Sequence, residues 1–127
     1  HNYEGRPFGR ISETFRNWPL PHEGRALALG EYGGLGLVVE GHEWSPETSW
    51  GYGKVTSKPS VLHERLQDLW RRLADVVCQD GLSAAIYTQW TDVETEVNGL
   101  LTYDRLMKVP LDLLRESAAH LAAEHQR

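Results

Sequence analysis

The chain has 127 residues, of which 40% are hydrophobic and 24% are charged, and this is enough for one globular domain with a modest core. Its net charge of -5 argues against a nucleic-acid partner, because affinity for phosphates depends on concentrated lysine and arginine. No apolar run approaches the roughly 20 residues that cross a bilayer, so we expect no membrane partner either.

Residues 1–24 predict a loop, because prolines and glycines interrupt them and neither a strand period nor a helix period is sustained. The chain begins at His1 rather than at methionine, and no charged and then apolar signal segment follows. We therefore expect the chain to have been processed or cut from a longer protein.

The first predicted strand is the apolar run from Arg25 to Gly30, which is typical of a strand buried on both faces. Glu31 follows this run and leads into a glycine-rich stretch over 32–36. Active sites are built where parallel strands end, so Glu31 is a candidate catalytic acid. The alternative is that Glu31 only begins a solvated loop.

Residues 32–57 predict a long loop, because they hold many glycines and no clear helical pattern. Loops of this length in compact proteins are usually functional or disordered. The aromatic residues of this stretch, which include Trp44 and Trp50, argue against disorder. We interpret the stretch as a lid or a pocket wall.

The first predicted helix begins at Lys58-Pro59-Ser60 and ends at Asp80-Gly81, with proline in its first turn and glycine after its last. Cys78, the single cysteine, lies in this helix and is interpreted as a small core residue. The apolar residues follow helical spacing and form one stripe: Leu62, Leu66, Leu69, Trp70, Leu73, Val76 and Val77.

A second buried strand is predicted over Leu82 to Tyr87, and a second helix begins at Pro110. Between them, 91–108 predict an irregular, acid-rich stretch that contains the turn pair Asn98-Gly99. Strands that alternate with helices indicate a parallel sheet. Two strands cannot close a barrel, so we expect this α/β chain to be part of a larger protein.

Two stretches carry a resemblance to a known family. Leu29 to Gly36, with its Gly-Glu-Tyr-Gly-Gly core, and Tyr87 to Arg105 resemble the end of the catalytic barrel of glycoside hydrolase family 2. That family includes β-galactosidases, β-glucuronidases and β-mannosidases. The resemblance implies that residues 1–127 are the C-terminal portion of a (β/α)8 TIM barrel, its last two βα units. Arg25 to Gly30 would be the seventh strand and Leu82 to Tyr87 the eighth.

The resemblance also implies that Glu31 is the nucleophile of a retaining glycoside hydrolase. In such enzymes a second carboxylate, about 5 to 5.5 Å from the first, protonates the leaving oxygen and later activates water. In the family this acid belongs to an Asn-Glu pair, and the chain contains no such pair. We therefore expect it in the rest of the barrel, upstream of His1, and we expect the isolated chain to be inactive.

The family's glucuronidases hold the sugar carboxylate with an Asn-x-Lys motif, whereas this chain has Asn98-Gly99-Leu100. The resemblance thus favours neutral β-linked hexosides, such as β-galactosides, as substrates. The aromatic candidates for packing on the sugar are Trp44, Trp50, Tyr87 and Trp90, and His1 and Asn2 are candidates for bonding its hydroxyls. The alternatives are that the aromatic residues fill a core and that His1 and Asn2 belong to a cut end of the chain.

We expect no cofactor and predict no transition-metal site, because the histidines and Cys78 lack the spacing of metal ligands. An alkali or alkaline-earth ion on loop oxygens stays open, and the sequence indicates no cellular location. Two other functions also stay open. One is a non-catalytic carbohydrate-binding or interaction module, and the other is an unrelated small α/β enzyme with a second acid or base beside Glu31.

Overall fold

The computed structural model describes residues 26–125, which contain four strands and two helices. The strands pair in parallel as two separate two-stranded sheets, and these residues close no barrel. The predicted loop over 1–24, with His1 and Asn2, lies outside the described residues. The elements are β1 (Leu27–Gly33), β2 (Leu35–Leu37), β3 (Tyr52–Thr56), α1 (Pro59–Asp80), β4 (Leu82–Thr88) and α2 (Leu111–His125).

Helix α1 confirms the helix predicted from the apolar stripe. It begins at Pro59, and Gly81 ends it in a left-handed conformation, with its N–H donating to the carbonyl of Val77 at 3.2 Å. The stripe is buried against the strands, except that Val77 is only half-buried. The interpretation of Cys78 as a core residue is wrong, since it lies on the exposed side of the helix.

Strands β1 and β4 confirm both predicted strands and pair in parallel, but neither is buried on both faces as predicted. Leu29 pairs with Ala85 on the face towards the core, whereas the partners Ala28 and Ala84 are exposed. Alternate side chains of a strand point to opposite faces, and among residues 26–125 only one face of this sheet is covered. The run of small apolar side chains predicted that both faces of the strands are covered, whereas the described residues cover only one of them.

Strand β1 also runs further than predicted. It does not end at Gly30 but continues through Glu31 to Gly33. Between the pairs Leu29–Ala85 and Tyr32–Tyr87, β1 has two residues where β4 has one, which is the pattern of a β-bulge. Glu31 therefore lies inside the strand, at this bulge and near its carboxyl end.

The long loop predicted over 32–57 contains two short strands, β2 and β3. They escape prediction because β2 has three residues and β3 has five, and a glycine interrupts each of them. Gly36 of β2 packs so closely on Val55 of β3 that any larger side chain would collide with it. The sheet packs on α1, so this part of the chain is a structured layer and not an open lid.

The stretch between β4 and α2 is irregular, as predicted, yet much of it is buried. Asn98 and Thr102 are fully buried in it, as are the apolar side chains of Val97 and Val109. We name residues 89–109 the connecting segment. Helix α2 begins one residue after Pro110 and packs on α1, and neither helix is long and apolar enough to cross a membrane.

The packing of α1 yields a stability prediction. Leu66 is 0% exposed, so Leu66→Ala should lower the free energy of unfolding by about 2–5 kcal/mol, because it removes buried methyl groups and leaves a cavity. The neighbouring Gln67 is exposed, so Gln67→Ala should change it little. Urea unfolding of both variants measures the difference, and equal effects would contradict the packing described.

Candidate functional site

Glu31, the predicted nucleophile, is half-buried in β1, two residues before the strand ends. Its neighbour Tyr32 points into the core, where burial raises the pKa of its hydroxyl. Glu31 lines neither of two cavities in the described part of the chain. One, of about 260 Å³, lies between Tyr32, β4 and both helices. The other, of about 400 Å³, lies between Leu37 and Val39, the start of α1 and residues 106–110.

Tyr87 is the predicted sugar-binding residue that the structure places against the strand of Glu31. Its ring lies over Gly33 and meets Tyr32 edge to face, with 5.5 Å between the ring centres. A side chain at position 33 would collide with this ring, so glycine is required there. Burial raises the pKa of the Tyr87 hydroxyl, which therefore stays neutral. Tyr87 thus supports the carboxyl end of β1 from the neighbouring strand.

Trp50 is 45% exposed and is bound to the connecting segment through its backbone. Its N–H donates to the carbonyl of Thr95, and its own carbonyl accepts from the N–H of Val97, both at 2.8 Å. Its ring meets Tyr52 of β3 with 5.5 Å between the centres. The position of Trp50 is therefore set by backbone hydrogen bonds on one side and by an aromatic contact on the other.

Trp90 belongs to the connecting segment itself and follows the end of β4. Its side chain is 64% exposed. Its carbonyl accepts from the N–H groups of Leu100 and Leu101, each at 3.1 Å, so the segment folds back on itself at this residue. The indole is thus presented to solvent beside the carboxyl end of β4, where the sequence analysis expected a sugar-binding aromatic residue.

Trp44 is 61% exposed and meets the connecting segment through Tyr103, with 5.6 Å between the ring centres. Beside it, His42 Nδ1 lies 2.7 Å from Asp104 Oδ2. Hydrogen bonds from Thr102 and His42 hold the pKa of Asp104 below its usual range. The Asp104 carboxylate therefore has two side-chain partners, His42 and Thr102.

A buried ion pair holds the connecting segment in place. Lys108 Nζ lies 2.6 Å from both carboxylate oxygens of Asp92, and it also donates to the carbonyl of Val97 at 3.1 Å. The Asp92 and Lys108 side chains are 3% and 0% exposed. Burial raises the pKa of Asp92 and lowers that of Lys108, while the hydrogen bond between them opposes both shifts. Both charges are therefore compensated inside the protein.

Two further hydrogen bonds join the buried ion pair to the rest of the protein. The N–H of Gly99 donates to Asp92 Oδ1 at 2.8 Å, and a side chain at position 99 would overlap the backbone of Thr91 and Asp92. His63 of α1 donates through Nε2 to the carbonyl of Lys108 at 3.0 Å. The turn glycine predicted from the sequence is thus required by close packing, and the ion pair is anchored to a helix.

Within the described part of the chain, the structure joins three predicted residues to one element. Trp90 lies in the connecting segment, and Trp44 and Trp50 contact it, while Tyr87 lies with Glu31 in the sheet of β1 and β4. His1 and Asn2 lie outside the described residues. Asp92, a buried acid of the connecting segment, is bound to Lys108. No group of three or more potential metal ligands occurs within residues 26–125.

The sequence analysis missed the ion pair of Asp92 with Lys108 and the contact of His42 with Asp104. Their partners are 16 and 62 residues apart along the chain, so no local motif joins them. One available signal was Lys108, a charged residue between Met107 and Val109. A lysine in apolar surroundings is rarely buried without a carboxylate partner.

Comparisons with known proteins add no family assignment: no protein-family model matches the chain, and no curated protein matches it.

The buried ion pair yields a second prediction. Lys108→Met should lower the free energy of unfolding by about 3–5 kcal/mol, because it leaves the Asp92 carboxylate buried without its cation. Adding Asp92→Asn should recover part of the loss, since the double variant buries no charge at this point. Urea unfolding measures both variants.

The matched control is Arg115→Met, which breaks the exposed pair of Arg115 with Asp112 on α2. It should leave the unfolding midpoint unchanged. A Lys108→Met protein as stable as this control would show that the buried pair does not hold the connecting segment.

Proposed function

We propose that the chain is the C-terminal part of the catalytic barrel of a retaining glycoside hydrolase that acts on neutral β-linked hexosides. Glu31 is the nucleophile in this proposal. The observation that carries it is the position of a half-buried carboxylate near the carboxyl end of a strand that pairs in parallel with β4. Parallel α/β proteins build their catalytic sites at this end of their strands.

Retaining hydrolysis requires Glu31 to attack the anomeric carbon as a carboxylate. The carboxylate is regenerated when water hydrolyses the bond between Glu31 and the sugar. The acid that protonates the leaving oxygen comes from the remainder of the barrel in this proposal. The ion pair with Lys108 supports this division, because it engages Asp92, the most buried acid of the connecting segment. The remainder of the barrel is also the expected partner for the open face of β1 and β4.

The exposed tryptophans support a carbohydrate as the ligand. An indole packs on the C–H face of a pyranose, and Trp90 stands just beyond β4, near the end of the sheet that carries Glu31. The buried cation Lys108 is bound to Asp92, so it is not available to hold a sugar carboxylate. The preference for a neutral hexoside over a uronide rests on the stretch Asn98-Gly99-Leu100, which has no lysine where the family's glucuronidases have one.

A non-catalytic carbohydrate-binding module is the second candidate. Three solvent-exposed tryptophans, one in the connecting segment and two in contact with it, favour this candidate, because such a surface can bind sugars without a catalytic acid. This function and hydrolysis differ in one observable, which is whether a covalent bond forms between the sugar and the protein.

The test is covalent labelling of the full-length protein with a 2-deoxy-2-fluoro β-galactosyl fluoride, followed by digestion and mass spectrometry. We expect the adduct on Glu31, because the fluorine at C2 slows both formation and hydrolysis of the glycosyl-enzyme, while the fluoride leaving group keeps formation fast enough for the adduct to accumulate. Glu31→Gln should abolish the adduct and lower hydrolysis of an aryl β-galactoside by several orders of magnitude.

Glu64→Gln, which alters an exposed acid on α1, is the matched control and should leave labelling and hydrolysis unchanged. An adduct on another residue would refute the assignment of Glu31. Sugar binding without any adduct would favour the binding module.

A further inference from the structure

We propose that His42, Trp44, Tyr103 and Asp104 form a binding platform for a neutral pyranose, in addition to the sugar held at Glu31. The choice of a carbohydrate as ligand rests on the proposed function, whereas the geometry of the platform does not.

Two contacts assemble the platform from two distant loops. His42 Nδ1 lies 2.7 Å from Asp104 Oδ2, and the rings of Trp44 and Tyr103 meet edge to face at an angle of 85°. Both contacts join the same loops, because Trp44 lies two positions after His42 and Tyr103 directly precedes Asp104. The indole and the carboxylate are therefore held on the same part of the surface.

The loop under Asp104 is held from inside the protein. Thr102 is 0% exposed, and its hydroxyl donates to Asp104 and accepts from the N–H of Leu106 at 2.9 Å. The backbone N–H of Thr102 donates in turn to the carbonyl of Leu106, also at 2.9 Å. A surface ordered before the ligand arrives loses less entropy on binding than a mobile one does.

The groups presented suit a pyranose. Trp44 offers apolar area at 61% exposure, and the His42 and Asp104 side chains are each 38% exposed. A carboxylate accepts hydrogen bonds from sugar hydroxyls. Since Nδ1 of His42 is used by Asp104, Nε2 is the nitrogen that remains for a ligand. Aromatic area beside a few oriented polar groups is the usual composition of a small-molecule site.

The charges favour a neutral sugar. Hydrogen bonds from Thr102 and His42 keep Asp104 ionised by lowering the pKa of its carboxyl. The loop that carries His42 and Trp44 also contains three glutamates, Glu40, Glu43 and Glu47, while Arg105 follows Asp104 on the other loop. A uronic acid would bring a further carboxylate to this mainly acidic surface, so we expect the platform to reject it.

The experiment uses the full-length protein whose nucleophile is blocked by the fluorosugar, so that binding at the platform is measured alone. Methyl β-galactopyranoside and methyl β-glucuronide are titrated by calorimetry and by saturation-transfer NMR. We expect one equivalent of the neutral glycoside to bind and the uronide not to bind. Trp44→Ala should weaken binding at least tenfold, Trp44→Phe less, and His42→Ala and Asp104→Asn several-fold each.

Leu111→Ala is the matched control, because it removes another exposed apolar side chain, 49% exposed, at the start of α2. It should not change binding, and circular dichroism checks that each variant is folded. Unchanged binding by a folded Trp44→Ala protein, or preferred binding of the uronide, would overturn the platform.

Two measurements, the adduct on Glu31 and binding that depends on Trp44, distinguish failure of the platform from failure of the proposed function. A Glu31 adduct together with Trp44-independent binding refutes the platform alone. If no adduct forms, the same titration is run on the untreated protein, and Trp44-dependent binding then supports the platform while refuting hydrolysis. The absence of both adduct and binding refutes both.

Discussion

The arrangement of the described residues depends on the buried pair of Asp92 and Lys108. An irregular segment can enter a protein core only if its backbone polar groups find partners there. The two side chains meet this need, because Asp92 accepts from the N–H of Gly99 and Lys108 donates to the carbonyl of Val97, besides bonding to each other. Moving two charges out of water is costly, so the intact pair adds less to stability than the loss of one partner would remove.

The connecting segment has one side that is buried in the core and one side that is exposed to solvent. On the buried side, Val109 packs in the same core as the leucines of α1. Val97 is buried as well, and its carbonyl accepts from the N–H of Leu37 in β2 at 3.0 Å. The exposed side carries Trp90, and Trp44 and Trp50 contact the segment from the loop between β2 and β3. Because the same segment contacts both the core and the tryptophans, packing in the core helps to position the exposed aromatic residues. No regular helix or strand is needed to present them.

The sequence predicted best what depends on local pattern. Both helices were predicted from prolines at their starts and, for α1, from an apolar stripe, and the strand pair β1 and β4 was predicted from apolar runs. The short strands β2 and β3 were missed because glycine interrupts them and neighbouring strands, rather than propensity, stabilise them.

Features of the site that depend on distant residues could not be read from the sequence. Glu31 and Trp44 were chosen from their residue types, but the bulge at Glu31 arises from the register with β4, and the partner of Asp104 proved to be His42. Burial was misjudged for a related reason. An alanine or a cysteine is compatible with a core or with a surface, and the layers packed around it decide between them.

The exposed position of Cys78 near the end of α1 has a practical consequence. It is the single cysteine of the chain, so a maleimide dye or a spin label can be attached at one defined point without mutagenesis. The same accessibility allows two copies to oxidise into a disulfide-linked pair on storage in air. A dimer seen on a non-reducing gel would then report the handling of the sample and not its quaternary structure.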